Sequence, residues 1–313
     1  MSADDDGAAR RSSCSSVARS SSRCSGSRPC HPGRRADGSL PGMIHNVLVE
    51  NDGQVEIRVR PGGGGAMIPT VRVVESVDDL ARAGAAEFLE CARDAEQARG
   101  RFVVALSGGS TPRRLYELLA REPFRRQIPW ASVEFFWGDE RTVPPDHPDS
   151  NFGMAKEVLL APLAISPARI HRIEAERPDR DAAARAYETE LARVLGEPPR
   201  LDLALLGLGA DGHTASIFPQ TPAVRERVRW VVAHHVPALG ADRITLTAAI
   251  INRAACVVFL VAGAEKATAV ARVLHGPREP DLLPAQVVAP EHGRLLWLLE
   301  REAARLLRRE AVE

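Results

Sequence analysis

The stretch Leu201-Asp-Leu-Ala-Leu-Leu-Gly-Leu-Gly-Ala-Asp-Gly-His-Thr-Ala-Ser-Ile-Phe-Pro219 decides the reading of this chain. Its apolar first part is continuous rather than alternating, as in a strand buried on both faces. The run breaks at Gly207 and Gly209, where the backbone is free to approach a ligand. It then delivers Asp211 and His213 to the carboxyl end of the strand, where open α/β sheets place their chemistry. An imidazole that titrates near neutrality, with a carboxylate to orient it, suits general acid–base work. The plainer alternative makes Asp211 a helix N-cap and His213 a first-turn residue.

Outward from this stretch, strand and helix signals alternate from Met67 onward. Ser76-Val-Asp-Asp79 opens an Ala-rich helix to about Ala98, with two acids in its first turn. Phe102–Leu106 and Val133–Trp137 read as buried strands, 151–160 as a helix and 170–173 as a short strand. Beyond a surface helix over 179–195 come strands at 201–207, 230–236, 243–246, 255–261 and 295–299. A helix over 265–274 lies among them, and a charged helix ends the chain. Short buried strands alternating with helices give an α/β class, a mostly parallel sheet covered by helices on both faces.

Residues 1–66 read differently. The first 42 or so are dominated by Ser, Arg, Gly and Pro, too polar to offset the entropy of ordering them. They lack the apolar core of a secretory signal. Residues 43–60 suit a small hairpin, and Pro61 with Gly62–Gly65 suits a linker. The expectation is an extension over 1–66 and a domain over 67–313, with translation starting at Met43 or Met67 as an option that mass spectrometry of the native N-terminus decides.

Composition narrows the function. Formal net charge is zero, so no basic field invites nucleic acid, and no apolar run approaches a membrane span of about 20 residues. Five cysteines without CxxC or zinc spacing point to a reducing, cytoplasmic setting and to no metal. Of 41 basic residues only Lys156 and Lys266 are lysine.

Three further constellations carry chemistry. Ser107-Gly108-Gly109-Ser110-Thr111-Pro112 joins a strand to a helix, where converging N–H groups and hydroxyls bind phosphate. Trp137-Gly-Asp-Glu-Arg141 ends a second strand, and Arg141 there either attracts an anion or pairs with Asp139 or Glu140. Gly263-Ala-Glu-Lys266 puts a cation at a helix start, an awkward place that an anionic ligand relieves. Arg243, opening a strand after a loop, is a weaker candidate of the same kind. Gly207-Leu-Gly-Ala-Asp-Gly212 formally matches the dinucleotide fingerprint. The next strand is followed by Ala233 rather than a ribose-binding acid, so that reading fails. The remaining histidines, His147, His171, His234, His235, His275 and His292, show no ligand spacing and are read as surface or loop residues.

Taken together, these motifs closely resemble the 6-phosphogluconolactonase family, from about Met67 to the C-terminus. The resemblance implies a Rossmann-like fold shared with glucosamine-6-phosphate deaminases. It also implies hydrolysis of 6-phosphogluconolactone in the oxidative pentose phosphate pathway, without metal or organic cofactor. On this reading His213 is the general base, Asp211 orients it, and Arg141 helps the oxyanion. Ser107–Thr111 (with Gly108, Gly109 and Ser110), Lys266 and Arg243 take the phosphate. The deaminases resemble Asp-Glu-Tyr where this chain has Asp139-Glu140-Arg141, and carry a glutamate where it has Phe218. A non-catalytic sugar-phosphate sensor is the rival of another class, but the extension has no helix-turn-helix pattern. The sequence gives no oligomeric state.

Overall fold

The structure, a computed structural model, describes residues 69–307 throughout and, upstream, the backbone of two strands. These are β1 (Val47–Asn51) and β2 (Gln54–Arg58). Next in chain order come β3 (Thr70–Val74), β4 (Phe102–Leu106), β5 (Val133–Trp137) and β6 (Asp139–Arg141). The remaining strands are β7 (Leu203–Leu206), β8 (Val231–Val236), β9 (Ala241–Leu246), β10 (Cys256–Val261) and β11 (Arg294–Glu300). The helices are α1 (Val77–Arg99), α2 (Ser110–Leu119), α3 (Phe124–Gln127), α4 (Asn151–Ala155), α5 (Arg180–Leu195), α6 (Ala248–Ile251) and α7 (Ala267–His275).

The main sheet runs β1-β2-β3-β11-β10-β7-β4-β5, and its six strands from β3 to β5 are parallel. Every residue of β4, β7 and β10 is buried. Successive strand residues face opposite ways, so both faces are covered, as the unbroken apolar runs require. From β4 the chain moves outward to β5, then returns past β4 to β7 and on to β10. Adjacent strands β4 and β7 therefore send their connections in opposite directions, which opens a crevice at their carboxyl ends. A second, antiparallel sheet, β6-β9-β8, stands beyond β5 in the chain.

Local signals explain the element ends. Ser76 caps α1 by accepting from the Asp79 N–H at 3.1 Å, and Gly100 ends it in the left-handed region at φ 67°. The helix expected over 151–160 forms as α4 followed by a π-helical turn over Lys156–Leu160.

Several expectations are corrected. Residues 170–173 are no strand; Ile170 makes a single parallel bridge to Phe135. Residues 301–307 form turns rather than a helix, and 308–313 lie outside the described residues. The hairpin anticipated in 43–60 is present, and β2 pairs antiparallel with β3. The sheet thus extends upstream of residue 67, where the domain was expected to begin. The rest of the extension lies outside the described residues. Among those described, no helix is long and apolar enough to cross a membrane.

Candidate active site at the carboxyl ends of the parallel strands

No helix follows β7; residues 207–221 form a loop of turns and bridges, so Asp211 caps nothing helical. Instead Asp211 Oδ1 lies 2.5 Å from His213 Nδ1 and also accepts the His213 backbone N–H at 3.1 Å. An ionised carboxylate only accepts, so Nδ1 carries the proton and Nε2 is left as the basic lone pair. Partial burial pushes Asp211 upward, but the hydrogen bond and charge of His213 outweigh it and hold the carboxyl below its ordinary value. The imidazole is 29% exposed and stacks on Phe218, with ring centroids 4.0 Å apart.

The glycines are sterically required here. A Cβ on Gly209 would lie 2.0 Å from His213 Nδ1 and 2.5 Å from Asp211 Oδ1. The loop closes on itself through the Gly209 N–H to the His213 carbonyl, at 2.8 Å, and the Thr214 hydroxyl to the Gly207 carbonyl, also 2.8 Å. Ala215 takes a positive φ of 46°, unusual for a residue with a side chain.

Ser216 fastens this loop to the small sheet. Its hydroxyl donates to Asp139 Oδ2 at 2.6 Å, its N–H to the Thr245 hydroxyl at 3.2 Å, and its carbonyl accepts from His234 Nε2 at 2.8 Å. Asp139 and Thr245 are direct cross-strand partners, and the next like-facing pair along β6 and β9 is Arg141 and Arg243. Opposed residues of an antiparallel pair project to one face. The loop bearing His213 is therefore docked on the face that presents both guanidiniums. His234 stands opposite Arg243 on β8.

Among the described residues, neither arginine makes an ion pair, although Asp139, Glu140 and Asp149 lie close enough to act on Arg243 through their charge. Arg141 Nη1 donates to the Asp149 carbonyl at 2.6 Å, and Arg243 Nη1 to the Asp242 carbonyl at 2.8 Å. Burial first, and then the charge of Arg141, lower the Arg243 pKa. Of the two readings of Arg141, pairing with Asp139 or Glu140 is not what the fold does. Glu140 is instead a buried staple. Its carboxylate accepts from the N–H groups of Arg141, Asn151 and Phe152 and from the Ser150 hydroxyl, at 2.8–3.1 Å. Burial pushes it above its ordinary value, against the pull of those N–H groups.

The Ser107–Thr111 turn leaves β4, next to β7. Gly109, at φ 104°, precedes α2 and offers no side-chain cap, so among the described residues the Ser110 and Thr111 N–H groups of the first turn have no capping partner. The Ser107 N–H donates to Tyr116 Oη at 2.9 Å, and Tyr116 donates back to the Ser107 carbonyl at 2.9 Å. A Cβ on Gly108 would lie 1.7 Å from Asn151 Oδ1, and Asn151 Nδ2 donates to the Asp139 carbonyl at 2.9 Å. Asn151 thus packs the phosphate-type turn against β6. Lys266 closes a short turn after β10, the strand on the other side of β7, and makes no ion pair among the described residues.

Sequence reasoning missed Tyr116, Tyr187 and Ser216, and read Asn151, in Asp149-Ser-Asn151, as simple helix capping or part of the family motif. The two tyrosines are the only ones in the chain, and Tyr187 grips both backbone groups of Trp137 as Tyr116 grips Ser107. Their scarcity was the available signal. His171, read as a surface or loop residue, does lie outside regular secondary structure but is not on the surface. It is buried between Glu134 and Glu190, at 2.9 and 2.8 Å, and stacks on Phe136. His234 is likewise a half-buried strand residue.

Comparison with known proteins identifies the family. Residues 75–297 match the family described as glucosamine-6-phosphate isomerases/6-phosphogluconolactonase. The chain is 44% identical over 214 residues to a 6-phosphogluconolactonase of Synechocystis sp., covering 67% of this chain and 86% of that one. It is 38% identical over 204 residues to one from Haemophilus influenzae, covering 65% and 87%. Among solved structures, it resembles 6-phosphogluconolactonase from Trypanosoma cruzi at 30% identity with a TM-score of 0.69, covering 78% of this chain and 99% of that one. A monomeric glucosamine-6-phosphate deaminase shares the fold, with a TM-score of 0.64 at 24% identity, over 75% and 99% of the two chains. The chain belongs to the glucosamine-6-phosphate isomerase/6-phosphogluconolactonase family.

Proposed function

We propose that this protein is a lactonase that hydrolyses 6-phospho-D-glucono-1,5-lactone to 6-phospho-D-gluconate, in the oxidative pentose phosphate pathway. The observation that carries the reading is the docking of the His213–Asp211 pair, through Ser216, onto the face that presents Arg141 and Arg243. A sugar lactone with a phosphate at its far end needs a proton acceptor at one end and cations at the other.

His213 Nε2 takes a proton from water as it attacks the lactone carbonyl carbon. The ring C–O bond then breaks, and the same nitrogen returns the proton to the departing alkoxide. Asp211 holds the tautomer and stabilises the imidazolium between the two steps. Arg141 faces the charge that develops on the carbonyl oxygen. The phosphate, close to two negative charges, is taken by the N–H groups at the start of α2 together with Arg243 and Lys266. Ser107 serves this site through position, since its N–H is committed to Tyr116. Two free, buried thiols, Cys91 and Cys256, favour a reducing compartment such as the cytoplasm.

Amino-sugar deamination is disfavoured by Phe218. Its ring lies flat against His213, at the position where the deaminases carry a further acid–base group. The test is the rate of lactone disappearance above spontaneous hydrolysis, run beside glucosamine-6-phosphate. Saturable lactone hydrolysis without ammonia release is expected. A rate equal to the spontaneous one, or ammonia release, overturns the proposal.

A further inference from the structure

A second reactive cluster lies at the amino ends of the parallel strands, opposite the loops of the candidate site. Cys256 opens β10 and pairs in register with Arg294, which opens β11. Cys91, on α1, meets them there: Arg294 Nη2 donates to Cys91 Sγ at 3.4 Å, while Nη1 holds the buried Glu87 at 2.6 Å. Both thiols are free and buried, yet both line a cavity of about 380 Å³ that also exposes Arg99, Arg200 and Arg294. The cavity opens to water, since the Arg294 side chain is 44% exposed.

The two sulfurs are not equivalent. A hydrogen bond from Cys256, opposed by burial and helped by the Arg294 charge, holds Cys91 below the ordinary thiol value. Cys256 is pushed up by the same hydrogen bond and by burial. A guanidinium beside one sulfur and a protonated thiol beside it is the arrangement of an attacking and a resolving cysteine.

We propose that Cys91 and Cys256 are a peroxide-reactive thiol pair that closes to a disulfide. The Cys91 thiolate attacks one oxygen of hydrogen peroxide. An S–O bond forms, the O–O bond breaks, and hydroxide leaves. Cys256 then attacks the sulfenic sulfur, and its proton departs with the sulfenic oxygen as water. Hydroxide recovers the proton that Cys91 had released, so two thiols and one peroxide give one disulfide and two waters, with two electrons passing to the peroxide. The product staples α1 to β10 without touching the loops that carry His213.

The test uses the full-length reduced protein, treated with one equivalent of hydrogen peroxide, alkylated and digested with trypsin without reductant. The expected product is peptide 83–93 joined to peptide 254–266, two hydrogens lighter than their sum and separated by dithiothreitol. Cys14, Cys24 and Cys30 fall in other peptides. Both thiols remaining alkylatable, or Cys91 accumulating as sulfinic acid beside an alkylated Cys256, overturns the proposal. Arg294→Gln is expected to slow cross-linking roughly tenfold, the effect of about one pKa unit on the thiolate fraction. Cross-linking at the unaltered rate removes Arg294 from the account.

Discussion

Arg141 and Arg243 stand directly opposite each other across the β6–β9 pair and project to one face. Like charges so placed cost the free protein a few tenths of a kcal/mol to about 1 kcal/mol. A phosphate dianion bound at Arg243 offsets that cost. Arg243→Gln is therefore expected to leave the melting temperature of the free protein unchanged or higher, and to raise the half-saturating lactone concentration about 10- to 100-fold, for a lost charge-assisted contact. Thermal unfolding with and without 6-phosphogluconate, beside steady-state kinetics, checks both parts. An unchanged half-saturation takes Arg243 out of the phosphate site.

Gly209 is held to hydrogen by the imidazole itself. With a Cβ placed 2.0 Å from Nδ1, Gly209→Ala must move either the ring or the loop. A displacement near 1 Å costs about 10² in rate. Turnover is expected to fall by that order, while 6-phosphogluconate affinity, set at the other end of the sugar, changes little. Equal losses in both would mean that the loop as a whole has collapsed.

Tyr116 is a positioning residue whose loss is readable without substrate. Tyr116→Phe leaves the Ser107 N–H and carbonyl unpaired in a buried place, for about 1–3 kcal/mol of stability. Tyr187→Phe does the same to Trp137. Denaturant midpoints of the two variants are expected to fall together. For Tyr116→Phe a weaker hold on the lactone phosphate should accompany the fall, because the turn before α2 loses its anchor.

Acid titration reports on Asp211. Its folded pKa lies below the ordinary 3.8, because the contribution of His213 outweighs burial. A depressed carboxylate stabilises the fold above its unfolded pKa and loses that contribution as pH falls through the folded value. The stability difference between the native protein and Asp211→Asn should be flat above about pH 5 and shrink only below 3.8. A difference already shrinking near neutrality would contradict the depressed value.

How far the fold was legible follows from what kind of interaction sets each part. The strands at 102–106 and 256–261 were readable because burial on both faces writes an unbroken apolar run, and 133–137 because its run is broken only at Glu134. The Ser107–Thr111 turn and the Asp211–His213 pair were readable because each is local, a few residues at a strand end. What was not readable depends on contacts distant in sequence. Nothing in the neighbourhood of Asn151 says that it will rest on Gly108, and nothing near Ser216 says that it will bridge Asp139 and Thr245. Residues 170–173 read as a strand from their apolar ends, but their backbone pairs with β5 through a single bridge, Ile170 to Phe135, and side-chain contacts of His171 hold the rest. His171 looked like a loop histidine because the two glutamates that bracket it are 37 and 19 residues away.

The most direct measurement is the turnover of His213→Ala, made beside its affinity for 6-phosphogluconate. Loss of a general base lowers turnover by about 10²–10⁴, and a phosphate site borne on other loops keeps affinity within about threefold. A loss of turnover below threefold would contradict the role given to His213, and with it the chemistry assigned to this face of the molecule.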